Sequence, residues 1–371
     1  MKLLIPGPVS THASVRAAAA QDYAPWDNDF RPINASNRAR VLKIAGTNEA
    51  EHATLPLQGC GHFAVEAAIR TFVPRGGKLL IPATGAYADR ATRLAREVGC
   101  DVVTIPVPHD APTAPDALEA ALMDDPAIGH VAIVYSETGS GVIHDVPALA
   151  QAAGRAGRRV IVDAVSAFGA LPLDLSALPM VDAVVFTSNK CLEGLPGLAF
   201  AVARIDRLVA CQNQAGSWSL DLADIYQHAL RAGWGTSRFT PSAQAMVAFS
   251  TALDLYDAEG GQPVRLARYT ANMRALYDGV CELGLAPYLA RAAQGPIVVN
   301  VHAPADPAWN LQVFVDALKA KGFLISNFYN TEAPSFRVGC IGAITPDDMR
   351  AAVCAMDEAL AGMGIQQRKA A

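Results

Sequence analysis

The chain has 371 residues, of which 51% are hydrophobic, and a formal net charge of −5. A chain of this length and composition can bury an ample core, and we expect one large and one smaller domain. The mild acidity gives no reason to expect a nucleic acid or an anionic membrane as a partner, and no apolar run has transmembrane length. Pro6-Gly7-Pro8 interrupts the short apolar start, so we expect no signal peptide.

Cysteine and histidine usage argues against cross-links and metals. The seven cysteines are scattered, and none of them forms a Cys-x-x-Cys pair. None of the eight histidines forms a His-x-x-x-His pair. The sequence therefore indicates neither a disulfide framework nor a metal site, and the reducing cytosol is the simplest compartment.

Residues 55 to 205 alternate short apolar runs with longer amphipathic runs. The predicted strands cover residues 78–82, 101–107, 130–135, 159–163, 183–187 and 198–203. The predicted helices cover residues 87–98, 115–123 and 146–156. Near-continuous apolar strands with crossover helices predict an α/β fold, in which helices cover both faces of a mostly parallel sheet. Functional sites in such sheets gather at the carboxyl ends of the strands.

After about residue 241 the pattern changes to an α+β unit that begins with long helices. The predicted elements are helices 241–258, 264–283, 309–321 and 345–362 and strands 296–302, 323–325 and 336–339. Thr345-Pro346 predicts an N-cap followed by a proline in the first helical turn. We therefore predict an N-terminal arm (residues 1–15), a large domain (16–254) and a small C-terminal domain (255–371). We expect the arm to pack between the two domains.

Two polar residues stand at the ends of predicted strands. Asp163 ends the run 159–163, and Lys190 follows the run 183–187. In pyridoxal phosphate (PLP) chemistry a lysine forms a Schiff base with the cofactor aldehyde, and a carboxylate keeps the pyridine nitrogen protonated. Because both residues fall at the carboxyl edge of one predicted sheet, we expect Asp163 and Lys190 to form a PLP site.

A PLP site also needs phosphate donors and a group that stacks on the ring. Cys60-Gly61-His62 precedes a helical run, whose first N–H groups can hold a phosphate. An ordinary loop-to-helix turn is the alternative. Tyr87 follows a predicted strand and can lay its ring on the cofactor, although a half-buried aromatic residue at a helix start is equally compatible with the pattern.

Five further polar residues are candidates. Thr138, in a glycine-rich loop after a core strand, can place a hydroxyl near the ring oxygen. Ser188 can contact the phosphate or satisfy local backbone. Arg238 and Thr240 are candidate phosphate ligands that could reach a neighbouring subunit, or Thr240 could cap the helix that follows. Arg337, inside an apolar strand, can bind a carboxylate in bidentate fashion or form a structural ion pair.

Taken together, these segments resemble the class V aminotransferases of fold type I, nearly from end to end. The resemblance is carried by Pro6-Gly7-Pro8, Leu57-Gln58-Gly59, Gly85-Ala86-Tyr87, Ser136-Glu137-Thr138, Val162-Asp163-Ala164-Val165-Ser166, Ser188-Asn189-Lys190-Cys191, Arg238-Phe239-Thr240 and Phe336-Arg337-Val338-Gly339. It implies a PLP-dependent transferase with a large and a smaller α+β domain. It also implies a homodimer that moves an amino group from a small-molecule donor to a 2-oxo acid.

The resemblance implies a role for each candidate residue. Lys190 is then the Schiff-base lysine and proton shuttle, Asp163 pairs with the pyridine nitrogen, and Tyr87 stacks on the ring. Thr138 lies near the ring oxygen, and Arg337 binds the acid group of the substrate. The residues implied to surround the phosphate are Cys60, Gly61, His62, Ser188, Arg238 and Thr240, the last two donated across the dimer interface.

Two segments narrow the resemblance to one group of members within the family. Trp26-Asp27-Asn28-Asp29-Phe30 and Ser217-Trp218-Ser219-Leu220-Asp221-Leu222 are similar to members that use 2-aminoethylphosphonate and pyruvate, which implies phosphonoacetaldehyde and alanine as products. Gly59-Cys60-Gly61-His62-Phe63 and the segment 326–330 depart from the pattern of those members, since Gly-Ser-Gly-Thr-Phe and Pro-Gly-Lys are usual there. The departures leave open another class V activity, such as an alanine- or serine-glyoxylate aminotransferase, or a PLP lyase. A non-catalytic PLP-fold binding protein is a third alternative, against which the intact Lys190, Asp163 and Arg337 argue.

Overall fold

The computed structural model of the chain describes residues 1–328, 331 and 333–369. Its helices are α1 (Ala13–Ala18), α2 (Arg31–Ile44), α3 (Gly61–Phe72), α4 (Ala86–Val98), α5 (Pro115–Asp124), α6 (Val146–Arg155), α7 (Ile205–Ala210), α8 (Leu222–Ala232), α9 (Ala243–Glu259), α10 (Gln262–Glu282), α11 (Leu311–Ala320) and α12 (Pro346–Gly362). Its strands are β1 (Lys2–Leu3), β2 (His52–Gln58), β3 (Lys78–Ala83), β4 (Asp101–Pro106), β5 (Ile128–Val134), β6 (Arg159–Asp163), β7 (Val181–Thr187), β8 (Leu198–Arg204), β9 (Val298–His302), β10 (Phe323–Leu324) and β11 (Ser335–Gly339).

Seven strands form the central sheet, in the order β2-β8-β7-β6-β5-β3-β4. The five strands from β7 to β4 are parallel, whereas β8 pairs antiparallel with both β2 and β7. The predicted α/β fold with a mostly parallel sheet is confirmed. Strand β2 was not predicted, because Pro56 interrupts its apolar pattern. The fold accommodates this proline because β2 lies at the sheet edge, where one side of the strand needs no donor.

Buried apolar side chains cover both faces of the sheet. On β6 and β7, Val162 and Val184 belong to one cluster, whereas Ile161 and Val185 belong to the cluster on the opposite face. Successive strand residues point to opposite faces, so a strand that is covered on both sides must be apolar almost throughout. The polar residues of these strands are therefore displaced to the ends, where the site lies.

The C-terminal part has its own core. Strands β9 and β11 form an antiparallel pair, and α10, α11 and α12 contribute to one apolar cluster with them. Helix α12 begins as predicted, because Thr345 Oγ1 accepts the N–H of Asp348 at 3.3 Å and Asp348 Oδ2 accepts the N–H of Thr345 at 2.9 Å. Helix α9 extends past residue 254, where the large domain was predicted to end, as far as Glu259. The predicted domain bounds remain a prediction.

The N-terminal arm contacts both halves of the chain. Strand β1 pairs in parallel with β10, and the Gly339 N–H donates to the Leu4 carbonyl at 2.8 Å. Further along, the Val9 N–H donates to the Asn189 carbonyl at 3.3 Å, next to Lys190. The arm thus joins the end of β11 to the segment that carries the lysine. None of the helices in the described part of the chain is long and apolar enough to cross a membrane.

Candidate active site

A cavity of about 360 Å³ lies at the carboxyl edge of the sheet, where β6 and β7 end and α3 and α4 begin. Small-molecule sites typically measure about 300–1,000 Å³. Both Asp163 and Lys190 line the cavity, as do four other residues predicted from the sequence: Cys60, Gly61, His62 and Tyr87. The N-terminal arm packs against the lysine, since a Cβ on Gly7 would lie 2.9 Å from Lys190 Cγ.

One hydroxyl group holds the amine of Lys190 in place, and a second hydroxyl group holds the first. The side chain is buried, and its Nζ donates to Ser166 Oγ at 3.0 Å. Ser166 Oγ is also hydrogen-bonded to Thr138 Oγ1 at 3.0 Å. The amine lies 5.7 Å from the centroid of the Tyr87 ring. Ser166 is therefore the direct partner of the lysine, a contact that the sequence analysis did not assign.

Asp163 ends β6 beside the cavity. Its Oδ1 accepts the Val165 N–H at 2.9 Å. Burial raises the pKa of Asp163, although that hydrogen bond and the positive charges of Lys190 and His62 act in the opposite direction. A carboxyl group in this position gains stability when a protonated nitrogen reaches it, because the ion pair offsets the cost of burial.

Tyr87 lies in the first turn of α4, half-buried in the cavity wall. Its hydroxyl is hydrogen-bonded to the side chains of Thr138 and Arg337. Burial alone would raise the pKa of Tyr87, but the positive charges of Lys190 and Arg337 outweigh it and lower the pKa below its ordinary value. The ring thus has a fixed position, with its polar end tied to the loop after β5 and to β11.

Arg337 on β11 is buried beside Tyr87. Its Nη1 donates to the Thr138 carbonyl at 2.8 Å, and its Nη2 donates to Ser326 Oγ at 3.3 Å. Its guanidinium lies 5.3 Å from the centroid of the Phe328 ring. Burial lowers the pKa of Arg337 from its ordinary value. A buried guanidinium gains stability from an acidic ligand, so this position suits the acid group of a substrate.

The start of α3 provides backbone donors. Cys60 occupies the N-cap position, but no side chain caps the helix there. A Cβ on Gly61 would lie 2.5 Å from Val165 Cγ2, so the close approach of α3 to Val165 requires glycine. Thr187 Oγ1, also in the cavity wall, is buried and has no hydrogen-bond partner among the described residues. Uncapped N–H groups and a hydroxyl without a partner suit an anionic group.

Ser188 does not bring its hydroxyl into the cavity. Its Oγ donates to the Leu195 carbonyl at 2.6 Å, and the residue is fully buried. This geometry fits the local backbone role that the sequence left open. Its neighbour Thr187 faces the cavity instead, because successive residues at a strand end point in opposite directions.

Arg238 and Thr240 also lie outside the Lys190 cavity. They line a separate surface groove that includes Trp26. Arg238 Nη1 donates to Asp224 Oδ2 at 2.6 Å, which holds the guanidinium in place. Thr240 does not cap α9, because Ser242 occupies the N-cap position. Within one chain, neither residue belongs to the lining of the Lys190 cavity.

Glu137 is a buried residue of the site to which the sequence analysis gave no role. Its Oε1 accepts the Gly139 N–H at 2.9 Å, and its Oε2 accepts the Tyr87 N–H at 3.3 Å. Burial raises the pKa of Glu137 to about 7, despite the opposing effects of these hydrogen bonds and of the charge of Arg337. Glu137 ties the first turn of α4 to the loop that carries Thr138. Its place in the polar, glycine-rich loop directly after a core strand was the sequence signal for it.

Helix α10 anchors the turn that follows Lys190. Glu193 adopts a positive φ of 56°, which non-glycine residues rarely do. Its carboxylate accepts from Tyr269 Oη at 2.6 Å and from Arg268 Nη2 at 2.6 Å. Arg265 Nη1 donates to the Cys191 carbonyl at 2.6 Å. These buried, charged hydrogen bonds keep the strained turn in place. The partners come from distant sequence, so no local motif predicted them.

The segment 326–330 falls partly outside the described residues. Tyr329 and Asn330 lie outside them, whereas Ser326 and Phe328 contact Arg337 as given above. The described part of this segment therefore borders Arg337.

The cavity fits PLP. The uncapped start of α3 and the hydroxyl of Thr187 suit its phosphate, and Gly61 packs closely on Val165 beside Asp163. Lys190 and Asp163 provide the amine and the carboxylate that PLP enzymes require. Fold and site together define a PLP-dependent aminotransferase of fold type I.

The comparison with known families agrees. The family model described as "Aminotransferase class-V" matches residues 27–305, which is more than half of the chain. The chain belongs to the class V aminotransferases, and its cofactor is pyridoxal phosphate.

Two similar relatives span almost the whole chain. The 2-aminoethylphosphonate–pyruvate transaminase of Burkholderia ambifaria is 44% identical over 99% of this chain and 97% of its own length. That of Pseudomonas putida is 41% identical over 98% of each chain.

Solved structures support the fold. The pyridoxamine–pyruvate aminotransferase of Mesorhizobium loti has a TM-score of 0.89 at 23% identity, over 99% of this chain and 93% of that chain. An aspartate aminotransferase of Thermus thermophilus has a TM-score of 0.84 at 25% identity, over 98% of this chain and 100% of that chain.

Proposed function

We propose that this aminotransferase moves the amino group of 2-aminoethylphosphonate to pyruvate, which yields phosphonoacetaldehyde and alanine. The observation that carries the proposal is the near-complete alignment, at 41–44% identity, with relatives that bear this activity in their names. The site is compatible with it, since a buried arginine stands beside the lysine-bearing cavity and can bind an acid group.

In this proposal Cys60, Gly61 and His62, at the start of α3, would hold the phosphate of PLP with their backbone N–H groups, and Thr187 would add a hydroxyl. Asp163 would pair with the pyridine nitrogen, and Tyr87 would stack on the ring. When bound, PLP supplies an electron sink for the carbon that carries the amino group.

Lys190 acts as the acid and base of the reaction. Its Nζ removes the proton from the carbon attached to nitrogen and returns it at the cofactor side. Ser166, at 3.0 Å, orients the amine, and Thr138 orients Ser166. Thr138 would also lie near the ring oxygen of the cofactor. Arg337 holds the acid group of donor and acceptor in turn, so that the reacting carbon lies within reach of Lys190.

The working unit in this proposal is a cytosolic homodimer. Arg238 and Thr240 do not line their own cavity, and they line a surface groove with exposed aromatic residues. A second copy that packs on this groove gives both residues access to the partner's phosphate site. All seven cysteines are free, which suits a reducing compartment.

Turnover with defined donors tests the proposal. We expect pyruvate-dependent consumption of 2-aminoethylphosphonate, with alanine and phosphonoacetaldehyde formed in equal amounts. Lys190→Ala should abolish turnover and the absorbance of the lysine-bound cofactor. Exchange between alanine and glyoxylate without consumption of 2-aminoethylphosphonate would contradict the proposed substrate, and product release without any 2-oxo acid would indicate a lyase.

A further inference from the structure

Arg90 is a cation in the wall of the Lys190 cavity, and it has no role in the reaction proposed above. It lies one helical turn after Tyr87 on α4, and its side chain is exposed to solvent. Its guanidinium carbon is 5.1 Å from the centroid of the Tyr87 ring. In the part of the chain that the structure describes, no acidic side chain forms an ion pair with it. The charge of Arg90 is therefore available to a ligand that enters from solvent.

The charge of Arg90 acts on the substrate half of the site. It lowers the pKa of Arg337, after the larger effect of burial, and contributes to the lowered pKa of Tyr87. The positive charges that act on Asp163, in the cofactor half, are instead those of Lys190 and His62. Arg90 and Arg337 thus approach the same tyrosine, from solvent and from the protein interior respectively.

One arginine is not enough for a phosphonate. Like a phosphate group, a phosphonate group can lose two protons, and it is a dianion once the second has left. Arg337 provides one positive charge, and its two Nη atoms already donate to the Thr138 carbonyl and Ser326 Oγ. Residues 326–331 contain no lysine or arginine, and the described residues Ser326 and Phe328 of this segment contact Arg337. A second cation for the head group then comes from another element, and α4 carries Arg90 in the cavity wall.

We propose that Arg90 is a specificity-determining residue that binds the second negative charge of a dianionic phosphonate head group. This inference rests on the proposed function. Arg337 binds one edge of the head group at the inner side of Tyr87, and Arg90 binds the outer oxygen at the mouth of the cavity. A carboxylate or sulfonate carries one charge, so it gains less from Arg90. The residue therefore separates phosphonate donors from the other small acids that Arg337 alone accepts.

Two unreactive analogues of equal chain length test the proposal: ethylphosphonate and ethanesulfonate, both tetrahedral. The inhibition constant of each analogue is measured on the PLP-loaded enzyme, from the degree to which the analogue slows the single-turnover reaction with alanine. We expect Arg90→Gln to weaken the binding of ethylphosphonate by about 10- to 100-fold, the loss typical of one charge-assisted hydrogen bond. The binding of ethanesulfonate should weaken by less than about threefold, the effect expected for an exposed charge. Arg90→Lys should restore part of the difference.

The pH profile separates binding of the second charge from a structural effect. In the wild type, ethylphosphonate should bind more tightly as pH rises through its own second ionisation, and this gain should vanish in Arg90→Gln. Arg93→Gln, on the same helix but outside the cavity wall, is the matched control and should behave as wild type.

Two outcomes would overturn the inference. One is equal weakening of both analogues in Arg90→Gln, and the other is loss of PLP affinity with unchanged discrimination, which would assign Arg90 to the cofactor. Failure of the proposed function is distinct, because it appears as a wild type that does not convert 2-aminoethylphosphonate.

Discussion

At the scale of single residues, the site consists of polar groups that hold one another before any ligand arrives. Lys190, Ser166, Thr138 and Tyr87 form a continuous chain of hydrogen bonds that ends at Arg337. Such preorganisation is valuable because a reacting group that is already oriented loses little freedom during the reaction.

Tyr87→Phe should separate ring stacking from hydrogen bonding. The variant keeps the ring but removes the hydroxyl that contacts Thr138 and Arg337. Loss of one hydrogen bond to a charged group costs about 1.5–3 kcal/mol, so KM for acid-bearing substrates should rise about 10- to 100-fold. PLP affinity, measured by equilibrium dialysis, should change little. A large loss of PLP affinity with unchanged KM would show that the hydroxyl serves the cofactor instead.

Glu137 should make stability depend on pH. The pKa of Glu137 is about 7 in the folded chain and about 4.5 in its ordinary state, so the folded state holds the proton more tightly. As pH rises from about 4.5 to about 7, the unfolded state loses this proton first, and the free energy of unfolding falls by up to about 3 kcal/mol. Glu137→Gln cannot lose a proton. As pH rises across this range, the thermal midpoint of the variant should therefore increase relative to that of the wild type. A difference in thermal midpoint that stays constant with pH would contradict the assigned pKa.

At the scale of elements, the start of α3 and the end of β6 depend on each other. Gly61→Ala would place a Cβ 2.5 Å from Val165 Cγ2 and push the helix start away from the cavity. Such overpacking typically costs about 1–3 kcal/mol, and we expect both a lower thermal midpoint and weaker PLP binding. The double variant Gly61→Ala/Val165→Ala should recover both, because it removes the clashing methyl groups. Gly362→Ala, at the end of α12, meets open space; it is the control and should lower neither.

The elements also show what sequence patterns can predict. The predicted strands 159–163 and 183–187 are found at Arg159–Asp163 and Val181–Thr187, since a doubly covered strand must be apolar throughout. The pattern could not predict which of Thr187 and Ser188 faces the cavity. The direction of a side chain at a strand end depends on the register of pairing, which the neighbouring strands set.

At the scale of the whole molecule, the proposed dimer makes a prediction about shared sites. If Arg238 serves the partner's cavity, a mixed dimer of a Lys190→Ala chain and an Arg238→Ala chain contains one intact site. Each variant alone should be nearly inactive, and a statistical mixture of the two should recover about a quarter of the wild-type activity per site. Activity measured after joint refolding or co-expression checks this. No recovery in a verified mixed dimer would place the action of Arg238 within its own chain.

The amino-acid sequence by itself determined the class of fold, the cofactor and the two central residues, because these depend on local signals. Apolar runs determine strands, and polar residues at their ends determine where a site can form. The tertiary structure alone decided which hydroxyl holds the lysine, that Glu137 and Glu193 are buried, and that Arg238 and Thr240 lie away from their own cavity. It also brought Arg90 and Arg337 to the same tyrosine. These facts join residues far apart in the chain, and only the packing of helices on the sheet sets the distances between them.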